Sequence, residues 1–149
     1  MSVEITLNSR QRDDLRVVAG MIIPASVEYG VPGADDATIQ FDILATLGRD
    51  AELVRDALDH LARLAGIPLV NLGETARQAV AGQFRASGGP AAATLTRVVL
   101  QCYYRDDRVL RSLGLELRPP FPQGYALEQG DWSLLDPVRA RPSMWRRTS

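Results

Sequence analysis

Lysine is absent from this sequence of 149 residues; all seventeen of its basic side chains are arginine. That excludes a lysine Schiff base and the lysine of a Walker-type phosphate loop. There is one histidine, His60, and one cysteine, Cys102. A single cysteine excludes a disulfide within the chain and a thiolate metal cage, and it fits a reducing compartment. Acid–base chemistry near neutral pH depends on side chains that can be tuned to trade protons there, and this chain holds few. Aromatic residues make up 6% of the sequence, so a core must be built from Leu, Val, Ile and Ala.

Long hydrophobic runs are missing as well. The longest aliphatic stretch, Leu15 to Pro24, is interrupted by Arg16 and is too short to cross a bilayer. Met1 to Leu7 lacks the basic and apolar regions of a signal peptide. The formal charge is −1, without the basic excess that drives phosphate binding. A local basic row, Arg105, Arg108 and Arg111, encloses Asp106 and Asp107. These features exclude a nucleic-acid binder and a membrane-inserted protein. They point to a subunit that assists another protein.

What is present reads as an all-α protein, a compact bundle of about five or six helices. Its length suits a single core. Asn8 or Ser9 caps a helix running to about Ile22, with Leu15, Val18, Ala19 and Ile22 as its buried stripe and Pro24 as its stop. A loop with Gly30, Pro32 and Gly33 follows. Asp35 or Asp36 caps the second helix, which carries Ile39, Ile43, Leu44 and Leu47 and ends near Gly48. Asp50 caps the third, with Leu53, Val54, Ala57, Leu58, Leu61, Leu64 and Ala65 on one side before Gly66 and Pro68. The fourth spans about Gly73 to Arg85, turning Ala76, Val80 and Phe84 inward. Gly88 and Gly89 break the chain, and Pro90 suits the first turn of a fifth helix bearing Leu95, Val98, Val99, Cys102 and Tyr103. A sixth covers about Asp107 to Leu113 and ends at Gly114. No segment alternates long enough to be a strand.

Residues 1–114 thus form a helical domain, and residues 115–149 an extended, irregular C-terminal arm. The arm holds five prolines together with Phe121, Tyr125, Trp132 and Trp145. Disordered tails are poor in aromatics, so this one is expected to lie on a surface. A helical turn or two is expected around Pro137, between Leu134 and Ala140. Arg139, Arg141, Arg146 and Arg147 share the arm with both tryptophans, and Arg and Trp concentrate binding energy at interfaces.

Each polar cluster has a plain structural reading beside the chemical one. Asp56 and His60 are four apart on one helix face and could pair as an oriented base, or His60 could simply favour a helix C-terminus. Cys102, near Arg105, could be a reactive thiolate, but its apolar face suits core packing. The pairs Asp13–Asp14, Asp35–Asp36 and Asp106–Asp107 cannot face each other as adjacent helical residues. A helix start accounts for the second pair and solvation for the others. The Gly30–Gly33 loop follows no strand, so no dinucleotide or flavin fingerprint is present. Tyr103, Tyr104 and Arg105 join the fifth and sixth helices. Rings about 100° apart place one tyrosine in the core and the other outside, where Tyr and Arg suit a protein contact.

Two segments carry a resemblance. The first runs Leu15-Arg16-Val17-Val18-Ala19-Gly20-Met21-Ile22-Ile23-Pro24, then Pro32-Gly33-Ala34-Asp35-Asp36-Ala37 and Phe41-Asp42. The second is Tyr103-Tyr104-Arg105-Asp106-Asp107-Arg108-Val109, leading to Leu113-Gly114. Over about residues 10–115 the chain resembles the gluconate 2-dehydrogenase subunit 3 family. Such small subunits accompany FAD-dependent sugar and alcohol dehydrogenases of the glucose-methanol-choline type. The resemblance implies a non-catalytic subunit that assembles with and stabilises a large subunit holding the FAD and the substrate pocket. It implies no catalytic, cofactor-binding or metal-binding residue in this chain. Exported relatives can carry a twin-arginine signal, and this N-terminus has none. A cytoplasmic complex is therefore expected, periplasmic only if the partner carries an export signal.

The expected partner-binding residues are Tyr103, Tyr104, Arg105, Phe121, Tyr125, Trp132 and Trp145. The alternative is a stand-alone helical module that binds a small ligand between its helices. A third reading, a small enzyme using His60 with Asp56, requires a nucleophile that the sequence does not identify.

Overall fold

A computed structural model describes residues 7–117 and 129–142. They contain seven α-helices and no strand. Six helices lie in the unit that ends at Leu117: α1 Ser9–Ile22, α2 Ala37–Thr46, α3 Ala51–Ala65, α4 Glu74–Ser87, α5 Gly89–Tyr103 and α6 Asp107–Ser112. No helix among the described residues is long and apolar enough to cross a membrane.

The helix starts follow from capping chemistry. The Asn8 side chain accepts from Gln11 N at 2.9 Å, and the Gln11 side chain accepts from Asn8 N at 3.0 Å, closing a capping box on α1. Asp36 accepts from Thr38 N and Ile39 N at the start of α2. Asp106 accepts from Arg108 N at the start of α6. Asp50 departs from expectation, making no side-chain cap on α3. A 3-10 turn, Gly48–Asp50, already feeds α3 with helical backbone, and the Asp50 carboxylate instead pairs with Arg97 of α5 at 2.8 Å.

Helix α3 is the central element, with α1, α4 and α5 packed around it, while α5 also covers α2. Leu15, Ile39, Ile43, Val54, Leu58, Leu95 and Val99 fill the space between them. Removing one such side chain from water contributes about 1.5–3 kcal/mol. Ala76 and Leu53, both expected inside, are exposed, Leu53 at 36%. Helix α4 buries only Val80 and Phe84, and none of the six residues ahead of Val80. The Leu53 edge of α3 likewise falls beyond the reach of its neighbours.

Asp14 corrects another expectation. Solvation does not hold this carboxylate: it is 1% exposed, while Asp13 beside it faces water. It accepts from Leu69 N at 3.1 Å and from Arg10 at 3.2 Å, and Arg10 also reaches Asp59 at 2.7 Å. The bond to Leu69 ties α1 to the turn between α3 and α4.

Residues 118–149 form a separate unit. Its described part holds a 3-10 turn, Trp132–Leu135, and a short helix, α7 Asp136–Arg139, with Pro137 in the first turn. This matches the helical turns expected around Pro137. Asp131 accepts from Ser133 N at 3.0 Å to start the first turn.

Candidate partner-binding face

The corner between α5 and α6 divides its two tyrosines. Tyr103 is buried at 4% exposure, whereas Tyr104 is 52% exposed, and the rings meet edge to face with centroids 5.3 Å apart. Burial pushes the Tyr103 phenol above its usual range. Tyr103, one of the expected partner contacts, is thus buried, and Tyr104 is the exposed ring of the pair.

Arg105 leaves the corner and reaches back to α2. Its guanidinium donates to the Asp42 carboxylate from Nε at 3.1 Å and from its terminal nitrogen at 2.6 Å. The same nitrogen lies 3.3 Å from Thr46 Oγ1. Arg108 makes a second tether. It donates to Asp36 at 2.7 Å and 3.2 Å, and to Asp106 at 2.9 Å and 3.0 Å. These bonds to the Arg108 guanidinium hold both carboxyls below the usual Asp range, against a smaller opposing effect of burial. Arg111 sits 3.7 Å from Asp107 on α6. The basic row is thus matched to a carboxylate at every member.

The tethers join two segments that lie far apart in the sequence. The Pro32–Asp42 stretch and the Tyr103–Val109 stretch meet through Asp42–Arg105 and Asp36–Arg108. Gly33 allows the first stretch to fold tightly against the end of α1, because a Cβ there would lie 2.8 Å from the Ala25 backbone nitrogen. Ala34 N donates to Ile23 O at 2.9 Å, and Gln40 Nε2 donates to Ala34 O at 2.8 Å. With the backbone held this way, Phe41 stays 74% exposed immediately before Asp42, and Tyr104 is likewise exposed immediately before Arg105. Leu113, at the end of α6, is 55% exposed. Phe41, Asp36 and Asp42 were not among the expected contact residues. Their pairings span 63 and 72 residues, and no local spacing signals them.

Trp132 belongs to the second unit, where it is 61% exposed and its indole donates to Gln129 Oε1 at 3.2 Å. Phe121, Tyr125 and Trp145 lie outside the described residues.

The other polar candidates sit on the helical unit. Cys102 is buried, with Sγ 3.5 Å from Thr46 Oγ1 and 3.6 Å from Arg105. Burial raises its thiol above the usual range, which lowers its reactivity. His60 sets its ring against Phe84, centroids 5.5 Å apart, while Asp56 is exposed. Among the described residues, no three His, Cys, Asp or Glu side chains converge as a metal site.

A second feature lies elsewhere on the helical unit. A groove of about 820 Å³ opens between α1, α4 and α5, because α4 rests mainly on α3 and diverges from the others. Val18, Ile22, Val80, Phe84, Leu95 and Leu100 line it. Beyond Arg77 lies a cleft of about 770 Å³ bordered by Asp13, Asp35 and Glu74.

Comparison with protein-family models, with curated proteins and with solved structures finds no match for this chain.

Proposed function

We propose that this chain is a non-catalytic small subunit that assembles with, and stabilises, the FAD-dependent large subunit of a sugar or alcohol dehydrogenase in the cytoplasm. The reading begins from the resemblance of its two motif segments to the gluconate 2-dehydrogenase subunit 3 family. One observation carries it: Asp36–Arg108 and Asp42–Arg105 fasten those segments together while Phe41 and Tyr104 remain outside. Exposed aromatic rings beside ion-paired residues are suited to a protein partner. The FAD belongs to that partner.

Affinity capture of the full chain from its native host tests the reading. A partner several times its mass, with the absorbance of bound flavin, is expected in the eluate. F41A/Y104A is expected to lose that partner while remaining folded. A chain that stays a stable monomer and never retains a flavoprotein overturns the proposal.

The groove between α1, α4 and α5 favours a second reading, a helical module for a small ligand. Its volume and apolar walls fall within the range of small-molecule sites.

A further inference from the structure

We infer that this groove binds an elongated apolar molecule ending in a carboxylate, with its chain against α1, α4 and α5 and its head at Arg85. The inference rests on the small-ligand reading and names the ligand class.

The walls select for an acyl chain. Met21 and Ile22 come from α1, Ala81 from α4, and Ala92 and Leu100 from α5, over a floor of buried Val18, Val80, Phe84 and Leu95. Such aliphatic walls offer area to a flexible chain and few directed polar contacts, so they recognise length and apolarity.

The charges select for an anion. The charged residues lining the groove are Arg77, Arg85 and Arg97, with no carboxylate among them. This contrasts with a whole chain whose net charge is −1. Arg97 is paired with Asp50 at 2.8 Å. Arg77 is engaged in structure, donating to Leu69 O at 3.0 Å and Val70 O at 2.9 Å, and the acidic cleft lies on its other side. Arg85 differs from both. Its side chain makes no ion pair or hydrogen bond among the described residues, although it stands at the groove near the end of α4. A free guanidinium beside an apolar trough is complementary to a carboxylate on a hydrocarbon chain. Its planar fork can hold both carboxylate oxygens while the chain leaves water. A cationic or neutral head would forgo that contact.

Calorimetric titration of the full chain with dodecanoate, below its micelle concentration, tests this. Dodecanol and dodecyltrimethylammonium serve as neutral and cationic controls. Dodecanoate is expected to bind about fivefold tighter than dodecanol, the gain of one partly screened charge-assisted contact. R85Q is expected to erase that difference and leave dodecanol binding unchanged. Because the Arg85 side chain holds no other group, this variant should keep the parent melting temperature. A81F, which fills the groove from α4, should abolish binding of both. Equal affinities for dodecanoate and dodecanol, or an R85Q protein that keeps the preference, would overturn the anionic head while leaving the small-ligand reading standing. No binding by any of the three overturns both. If A81F also blocks flavoprotein capture in that case, the groove belongs to a protein contact.

Discussion

Asp14 sits inside the core and holds the backbone N–H of Leu69 at 3.1 Å, across 55 residues of sequence. The chain between them includes α2 and α3, so this bond fixes where α1 meets the connection into α4. Its removal strands a buried donor and leaves Arg10 with Asp59 alone. D14A is expected to lose about 2–3 kcal/mol of stability. Urea unfolding at constant slope measures it. A loss under 0.5 kcal/mol, on the order of an ordinary surface change, would refute the role.

Arg108 makes the tether between α2 and α6 sensitive to acid. Its two carboxylate partners are held below the Asp reference of 3.8. A depressed carboxylate contributes fully above its unfolded value and loses that contribution as pH falls through the folded one. The Arg108 side chain is 42% exposed, so solvent screens the pairs. R108Q is therefore expected to cost about 1 kcal/mol at pH 7. The gap between parent and R108Q should narrow as pH drops below about 4. Melting temperatures across that range would show it, and a gap independent of pH would rule the coupling out.

Two glycines should respond oppositely to alanine. At Gly33 a Cβ would press on the Ala25 backbone nitrogen, which cannot swing away. G33A is expected to cost about 1–3 kcal/mol. Gly82 lies inside α4 with open space around it. G82A is expected to add about 0.5–1 kcal/mol through lower backbone freedom in the unfolded chain. Thermal unfolding of both variants decides the matter; the same sign for both would be wrong for this packing.

The tyrosine corner separates stability from association. Y103A opens a cavity in the core and is expected to cost about 3 kcal/mol. Y104A removes an exposed ring and should leave stability within about 0.5 kcal/mol. Only Y104A should weaken flavoprotein capture at unchanged folded fraction. A Y104A protein as unstable as Y103A would make both residues structural.

Much of this architecture is readable along the chain because it rests on local chemistry. Asn8, Asp36 and Asp106 accept from nearby backbone nitrogens, and short polar side chains ahead of apolar periodicity announce that. The division of Tyr103 from Tyr104 follows from helical rotation alone. Misreadings arise where a distant element decides. Asp14 resembles a solvated carboxylate until Leu69 arrives, and Asp50 resembles a cap until Arg97 draws it away. Ala76 has the right spacing to be buried but meets no helix that covers it. The pairing of Arg105 with Asp42 and of Arg108 with Asp36 depends on how α5 returns to α2, and periodicity carries no such information.

The central place of α3 also bears on the order of synthesis. Its Val54, Leu58 and Leu61 face is closed in part by α5, which leaves the ribosome only after more than two thirds of the chain has been made. A nascent chain released before Tyr103 would present that aliphatic stripe to chaperones and to other unfinished chains. Premature termination is thus expected to yield aggregates, whereas ending translation after α6 should yield a folded helical unit.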